Sequence, residues 1–478
     1  MNGKIIRYVI GWVLIFEAVF MAPALLTAVI YREKEGFDLA LVAGLCLIVG
    51  GVLTRIKTQN KSMHAREGFV TVALCWIVLS AFGALPFVLS GVIPSYIDAL
   101  FEIVSGFTTT GSSILTEVES LPKCLLFWRS FTHWIGGMGV LVFVMAVLPL
   151  AGGNNMYLMK AESPGPSVGK LVPKVKSTAK LLYGMYVVLS VLQLAFLMFG
   201  GMPLFDALTT TFGTAGTGGF GIKNDSLAGY SAYIQGVVTV FMILFGVNFN
   251  IYYLIFKGRL KAALQSTELR TYFGIIAVSV VLITANISGM FSSVFEAFRH
   301  AAFQVGTIIT TTGFATQDFD LWPSFSKTVL VLLMFIGACA GSTGGGIKVS
   351  RVIILFKSIL KELEVIAHPR SVRKLKMDGH LIEHSVVRSV NVFIAVYIMI
   401  FAASVLLISV DNFDMTTNFT AVAATINNIG PGLSIVGPTS NFSMFSNFSK
   451  LVLTFDMLVG RLELFPLLIL FARRTWRK

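Results

Sequence analysis

The chain has 478 residues, of which 55% are hydrophobic and 13% are charged, and its formal net charge is +13 at pH 7. A soluble protein carries roughly a quarter charged residues, so this composition indicates a membrane protein. The positive charge does not predict a nucleic-acid partner, because the basic residues lie between apolar runs rather than on amphipathic elements with interleaved aromatic residues. The four cysteines have no metal-ligand or disulfide spacing and are expected to pack as small apolar residues.

Apolar segments follow one another along the chain and predict ten membrane-crossing helices. Each is long enough to cross roughly 30 Å of hydrocarbon, and their bounds are 8–31, 38–54, 69–90, 127–149, 180–200, 232–256, 272–291, 325–356, 389–410 and 448–471. The first run, Tyr8–Ile30, is too long for the core of a signal peptide and is predicted to be an uncleaved span.

Lysine and arginine predict the orientation of these spans. Five segments rich in these residues fall on one side of the ten crossings, and they are Arg55–Arg66, Lys160–Lys180, Lys257–Arg270, Lys357–Arg388 and Arg473–Lys478. That side is predicted to be cytoplasmic and to hold both termini. No soluble domain is predicted, and the longest polar segments are Gly152–Lys180 and Lys357–Arg388.

One pattern occurs four times between the spans, on the predicted outer side. It is a short helix-like run with an acidic residue near its start and a Thr/Gly turn at its end. The acids are Asp98, Asp206, Glu296 and Asp414, and the turns end at Gly111, Gly219, Gly313 and Gly430. The third copy is longer than the first two by about one helical turn, which leaves the face of the helix unchanged.

The four copies predict an all-α polytopic membrane protein built from repeats. Two leading transmembrane helices (1–66) precede four span–pore helix–span repeats, at 67–152, 178–260, 268–363 and 385–478. Because the repeats share one orientation, the axis that relates them lies along the membrane normal. The predicted result is one central pore surrounded by four pseudo-symmetric repeats.

The Thr/Gly turns are the candidate selectivity filter. Non-helical backbone at membrane depth is tolerated where it is buried in protein or lines a water-filled cavity, and rings of carbonyl oxygens can replace the hydration shell of a monovalent cation. The candidate ion-binding residues are Thr109, Thr110, Gly111, Thr217, Gly218, Gly219, Thr311, Thr312, Gly313, Asn428, Ile429 and Gly430. The acids complement the positive ends of the short helices, whose negative ends then favour a cation. The alternative is that these turns only pack re-entrant segments.

These motifs resemble the TrkH-type subunit of bacterial potassium uptake systems, within a superfamily that includes KtrB and plant HKT proteins. The resemblance covers essentially the whole chain and rests on TTTGSS at 108–113, Trp128–Val140, GTGGFG at 216–221, TTTGFAT at 310–316, GACAGSTGGGIK at 337–348, NNIGPG at 427–432 and GRLELFP at 460–466. It implies location in the bacterial cytoplasmic (inner) membrane, one pore per chain, a homodimer and a cytoplasmic ring of nucleotide-binding TrkA-like subunits. Family members with serine at the first filter position tend to pass sodium. Glycine at all four filter positions therefore implies K⁺ as the transported ion, bound at the filter residues. No organic cofactor is expected in this chain.

A glycine-rich stretch interrupts the predicted crossing at 325–356. It comprises Gly341, Ser342, Thr343, Gly344, Gly345 and Gly346, followed by Lys348. Glycines at this density destabilise a helix by roughly 1 kcal/mol each relative to alanine, which favours an intramembrane gating loop under the filter. The alternative is close helix–helix contact through small residues.

Arg461 is an ionisable residue within the last predicted span, and such residues are functional candidates by default. The alternative is a structural arginine paired with Asp456, Glu463 or neighbouring carbonyls. The resemblance implies that Arg461 projects into the pore below the filter.

Three functions are consistent with parts of the sequence, and the enzymatic one has no supporting context. A gated, selective potassium-uptake pore is favoured, and the alternative is a sodium-selective or sodium/proton-coupled potassium transporter on the same fold. A membrane-embedded zinc hydrolase using His380, Glu383 and His384 fits the H-x-x-E-H pattern, but this loop has no room for a catalytic domain. The chain is therefore not expected to be an enzyme, and its expected partners are membrane lipids, a second copy and the regulatory ring.

Overall fold

The structure is a computed structural model that describes residues 3–55, 65–137, 139, 175–369 and 374–476. The described chain is mostly helical. Its helices are α1 (Gly3–Tyr31), α2 (Gly36–Thr54), α3 (Ala65–Gly83), α4 (Leu85–Leu89), α5 (Tyr96–Phe107), α6 (Lys123–Gly137), α7 (Val175–Phe199), α8 (Leu204–Ala215), α9 (Ala232–Phe245), α10 (Phe249–Phe256), α11 (Leu260–Leu264), α12 (Thr267–Ile287), α13 (Val294–Ile309), α14 (Ser324–Met334), α15 (Val349–Ala367), α16 (His384–Ile408), α17 (Met415–Ile426), α18 (Asn447–Arg461), α19 (Phe465–Leu468) and α20 (Arg473–Trp476). An antiparallel hairpin of β1 (Lys376–Met377) and β2 (His380–Leu381) precedes α16.

Six helical segments among the described residues are long and apolar enough to cross a membrane. They are α1, α2, α3 together with α4, α7 from Lys180, α12 and α16. The pair α9 and α10 makes a seventh crossing if it is counted as one span, although its two helices meet at 90°. The chain is therefore a multi-pass membrane protein, as its composition predicts.

The other three predicted crossings are not continuous long helices. The segment 325–356 breaks between Met334 and Val349, so the helix break predicted from its glycines is confirmed. The segment 448–471 breaks after Arg461, because Glu463 and Leu464 adopt positive φ angles of 56° and 67°. The second half of 127–149 lies outside the described residues, as does nearly all of the predicted polar segment 152–180.

Eight helices form a closed ring around the centre of the molecule. The short helices α5, α8, α13 and α17, here called the pore helices, alternate with the inner helices α6, α9, α14 and α18. Each pore helix contacts the inner helix of its own repeat and that of the preceding repeat, and α18 packs on α5 to close the circle. The four predicted repeats are thus arranged in chain order around one axis.

The remaining long helices lie outside this ring. The outer helices α3, α7, α12 and α16 each pack on the pore helix of their own repeat. The two leading helices pair with each other, and α1 also packs on α3 and α6. The core therefore extends from the leading pair through repeat one and continues around the ring.

The pore helices begin where the sequence predicts. Ser95 and Ser293 each accept a hydrogen bond from the backbone N–H three residues later, at 3.4 and 3.2 Å, and so cap α5 and α13. Asp414 caps α17 by accepting the Thr417 N–H at 3.1 Å. These caps satisfy N–H groups that have no partner within the helix, which fixes the start of each short helix.

The predicted acids lie at these N-terminal ends. Asp98, Asp206 and Glu296 are in the first turns of their helices. Hydrogen bonds from Ser292 to Glu296 and from Thr417 to Asp414 lower the pKa of each carboxyl group. Both carboxylates therefore stay charged next to the positive helix ends.

Candidate ion filter and gate

The four pore helices end in turns with the same backbone conformation. The residue after each helix cap is left-handed, with φ of 56° at Thr109, 55° at Thr217, 59° at Thr311 and 54° at Asn428. The next residue donates its N–H to the carbonyl oxygen five positions earlier, and this distance is 2.8 Å in all four repeats. The predicted filter residues that align in sequence therefore also occupy equivalent positions in the four turns.

The filter glycines come next, and each lies against the following repeat. Their φ angles are positive, between 74° at Gly219 and 102° at Gly430, a region that glycine adopts far more readily than other residues. An added Cβ would meet a carbonyl oxygen of the neighbouring turn at every position: Gly218 for Gly111, Thr312 for Gly219, Ile429 for Gly313 and Thr110 for Gly430. The contacts run from repeat one to two, three, four and back to one, so the four turns form a closed ring.

Side chains behind the turns are alike in repeats one and three. The hydroxyl oxygens of Thr108 and Thr110 are 2.8 Å apart, and those of Thr310 and Thr312 are 2.7 Å apart. The first hydroxyl of each pair donates to a carbonyl in the last turn of its pore helix, at 2.6 Å. These pairs hold the two turns in the same way.

Repeats two and four use other side chains. In repeat four, Asn428 donates from Nδ2 to the Thr110 hydroxyl and to the Met457 carbonyl, both at 2.9 Å. In repeat two, Gly218 has no room for a side chain because the imidazole of His133 fills that space. Local packing therefore explains why Gly218 and Asn428 replace threonine in these two repeats.

The glycine-rich loop between α14 and α15 lies against the ends of two pore helices. The Gly345 N–H donates to the Thr311 hydroxyl at 2.6 Å. A Cβ on Gly344 would be 2.9 Å from the Thr310 carbonyl oxygen, and one on Gly345 would be 2.8 Å from that of Asn427. The absence of side chains at Gly344 and Gly345 allows this loop, residues 341–346, to approach the turns of repeats three and four.

The remaining loop residues fix its shape. Thr343 donates from its hydroxyl to the Phe245 carbonyl at 3.2 Å, and Ser342 donates to the Cys339 carbonyl at 2.7 Å. Lys348 is buried, and its ammonium group donates to the carbonyl oxygens of Gly344 and Gly345. The lysine thus folds back onto its own loop.

Arg461 joins this loop to the filter. Its guanidinium donates to the Thr109 hydroxyl at 3.2 Å, to the Thr343 carbonyl at 2.9 Å and to the Gly136 carbonyl at 2.5 Å. Asp456 instead accepts the Ser404 hydroxyl at 2.7 Å, and Glu463 pairs with Arg351. Of the partners considered from the sequence, the neighbouring carbonyls bind Arg461, whereas Asp456 and Glu463 bind Ser404 and Arg351.

Four buried ionisable residues at the site were not predicted from the sequence. Glu102 and Arg129 form an ion pair at 2.6 Å behind the filter of repeat one. His133 lies one turn after Arg129 in α6. Glu268 on α12 lies beside the glycine-rich loop and accepts the N–H groups of Ala340 and Ser350 at 2.7 and 3.1 Å. Ionisable residues inside predicted spans are the signal that could have identified Arg129 and His133.

The zinc-hydrolase pattern has no supporting geometry. His380 lies in β2, whereas His384 begins α16. No group of three or more His, Cys, Asp or Glu side chains that could hold a metal ion occurs in the ranges given above for the described chain.

The closed ring of short helices, with four glycine turns at its centre, is the architecture of a cation transport protein rather than of an enzyme. A family model described as "Cation transport protein", TrkH, matches residues 39–478. The chain belongs to this family.

Individual members of the family align with this chain over all or nearly all of its length. The chain is 37% identical to the Trk system potassium uptake protein TrkH of Salmonella typhimurium, with 100% of both chains covered. It is 34% identical to the Trk system potassium uptake protein TrkG of Escherichia coli, covering 99% of each. The crystal structure of the potassium transporter TrkH from Vibrio parahaemolyticus matches with a TM-score of 0.90 and 33% identity over 100% of both chains.

Proposed function

We propose that this chain takes up potassium across the bacterial cytoplasmic membrane through a selective pore formed by the four filter turns. The observation that carries the proposal is the closed ring in which each filter glycine lies against a carbonyl of the next repeat. Backbone carbonyls gathered around one axis can replace the water around a dehydrated K⁺. The names of the relatives, as potassium uptake proteins, support this choice of ion.

The gate in this proposal is the 341–346 loop together with Arg461. The loop contacts the turns of repeats three and four, while Arg461 bonds both to the loop and to Thr109 of repeat one. A fixed positive charge at this place opposes a partly dehydrated cation. Withdrawal of the loop would remove one of the guanidinium's carbonyl acceptors and allow the side chain to move.

Regulation would come from the cytoplasmic side, through a nucleotide-binding ring bound to a homodimer of this chain. The hairpin of β1 and β2 lies in the basic segment where such a ring would dock. Asp378 in this hairpin accepts the Thr267 N–H at 2.6 Å, at the start of α12. The next residue, Glu268, holds both flanks of the gating loop, so the contacts give the hairpin a direct connection to the gate.

Ion-resolved flux tests the proposal. The full chain reconstituted in liposomes is expected to pass K⁺ and Rb⁺ in preference to Na⁺, down a K⁺ gradient and in the complete absence of Na⁺. The coupled alternative is supported instead if K⁺ flux stops when Na⁺ is removed, or if it follows an imposed proton gradient.

A further inference from the structure

The filter turn of repeat two is supported by residues of repeat one. Gly216 and Gly218 stand where repeats one and three have the threonine pairs Thr108–Thr110 and Thr310–Thr312. A Cβ on either glycine would overlap His133, with its backbone in the case of Gly216 and its imidazole in the case of Gly218. In repeats one and three, threonine side chains of the turn itself support the turn. In repeat two, this support comes from His133 on α6.

His133 makes a hydrogen bond to each of the two repeats. The Phe220 N–H donates to Nε2 at 3.2 Å, so the proton resides on Nδ1, which donates to the Gly106 carbonyl at 2.7 Å. The side chain is completely buried, and its ring centroid is 4.2 Å from that of Phe220. The imidazole therefore fixes the distance between the last turn of α5 and the residue that follows Gly219.

Arg129 contacts the same segment, Phe220 and Gly221, and it lies one helical turn before His133. Residues four apart share a helix face. Its Nε donates to Glu102 at 2.6 Å, and its Nη1 donates to the Gly221 carbonyl at 2.9 Å. The guanidinium carbon lies 3.5 Å from the centroid of the Phe220 ring. Arg129 thus clamps Phe220 and Gly221, the two residues that follow Gly219.

Glu102 extends this clamp to repeat one. Its second oxygen accepts the Ile114 N–H at 2.9 Å, and its first also accepts the Ser113 hydroxyl at 2.9 Å. In repeat four, the segment after the filter glycine is held by a neutral hydrogen bond instead. The Leu433 N–H donates to the Thr420 hydroxyl at 3.0 Å. A buried ion pair, which is shorter and stronger than a neutral hydrogen bond, therefore holds the boundary of repeats one and two.

We infer that Arg129 and His133 are positioning residues that set the ion selectivity of the filter where repeat two meets repeat one. This inference rests on the proposed filter. Their contacts determine where the backbone of Phe220 and Gly221, and hence Gly219, lies relative to Gly111. Loss of either contact would widen this part of the ring and favour a less complete removal of water from the ion.

The test measures the K⁺/Na⁺ flux ratio of the full chain in liposomes. His133→Phe keeps the ring volume and removes both hydrogen bonds, while Arg129→Gln removes the charge. Each is expected to lower the ratio by roughly tenfold, the effect of one lost buried hydrogen bond, and Arg129→Lys should restore part of it. Trp134→Phe is the matched control, because it removes a hydrogen bond from the same helix to Ser190 on α7, at 3.2 Å, without touching the filter.

A second pair of variants keeps the inference testable if His133→Phe does not fold. Gly218→Thr alone should abolish K⁺ flux, because its side chain meets the imidazole, and adding His133→Ala should recover flux by making room. Full flux in Gly218→Thr with His133 present would overturn the inference. So would an unchanged ratio in both His133→Phe and Arg129→Gln alongside an altered ratio in Gly111→Ser. An unchanged ratio in a folded Gly111→Ser protein would instead remove Gly111 from the proposed filter, and so would count against the proposed function rather than against this inference alone.

Discussion

Each filter glycine meets two separate requirements, a left-handed backbone and the absence of a side chain. Gly111 has a φ of 83°, and an added Cβ would overlap the carbonyl oxygen of Gly218. Gly91 has a similar φ of 74°, but it lies in open space. The chain therefore contains a matched pair of positions that separates backbone strain from the packing of the filter.

Gly111→Ser is expected to reduce the preference for K⁺ over Na⁺ by roughly tenfold, equivalent to about 1.4 kcal/mol of differential binding. The new side chain displaces the Gly218 carbonyl and offers a hydroxyl to the smaller ion. Flux ratios in liposomes measure the effect. Gly91→Ser should leave the ratio unchanged, and a folded Gly111→Ser protein with normal selectivity would remove this glycine from the filter.

The charge of Arg461 can be tested apart from its hydrogen bonds. A like charge about 4 Å away costs about 4 kcal/mol at an effective dielectric constant of 20, so Arg461→Ala should raise K⁺ flux by about tenfold or more. Arg461→Lys keeps the charge and should keep flux low. If neither variant inserts into the membrane, the arginine has a structural role instead.

At the scale of elements, the interrupted inner helix of repeat three is the candidate moving part. Its loop approaches the pore-helix ends so closely that a Cβ on Gly345 would be 2.9 Å from the Cβ of Asn428. A disulfide joins Cβ atoms about 3.5–4.5 Å apart, so cysteines at these two positions can cross-link after a small shift.

Two changes to the loop should have opposite effects on K⁺ flux. Shortening 341–346 is expected to raise flux in the absence of any partner, because less of the loop remains under the filter. The double variant Gly345→Cys/Asn428→Cys should be blocked when oxidised and should recover when reduced, with Gly345→Cys alone as the control. Normal, regulated flux in the shortened protein would leave these glycines as packing residues.

Glu268 is a candidate anchor of the proposed gating loop, because it accepts the N–H groups of Ala340 and Ser350 on the two sides of the loop. Glu268→Ala is expected to raise partner-independent K⁺ flux by releasing both flanks. Glu268→Gln, which keeps a carbonyl acceptor at nearly the same place, should have a smaller effect. Equal flux in all three proteins would exclude a role for Glu268 in gating.

The sequence predicts the elements better than the contacts between them. The pore helices, their acids and the filter glycines follow local rules for capping and positive φ, so the pattern at Asp98 and Gly111 could be recognised directly. His133 and Phe220 are 87 residues apart, and Glu268 and Ala340 are 72 apart. Such pairs depend on how the ring closes, which no local pattern determines.

At the scale of the whole molecule, four unequal repeats produce one nearly symmetric ring. The backbone of the four turns repeats closely, whereas the supporting side chains differ: threonine pairs in repeats one and three, His133 in repeat two and Asn428 in repeat four. The ion would meet similar carbonyls on all sides, while the surrounding protein can move differently in each repeat. In the proposed function, the loop beneath repeats three and four would move while the side chains that support the turns of repeats one and two stay in place, with Arg461 linking the loop to Thr109.

The most direct test of the filter is the position of the ion itself. Crystals grown in Rb⁺, measured at the rubidium absorption edge, should show anomalous density on the axis enclosed by Gly111, Gly219, Gly313 and Gly430. Gly111→Ser crystals should lose or weaken this density. Strong Rb⁺ density elsewhere in the protein, with none inside the ring of glycines, would contradict the assignment of these four turns as the potassium filter.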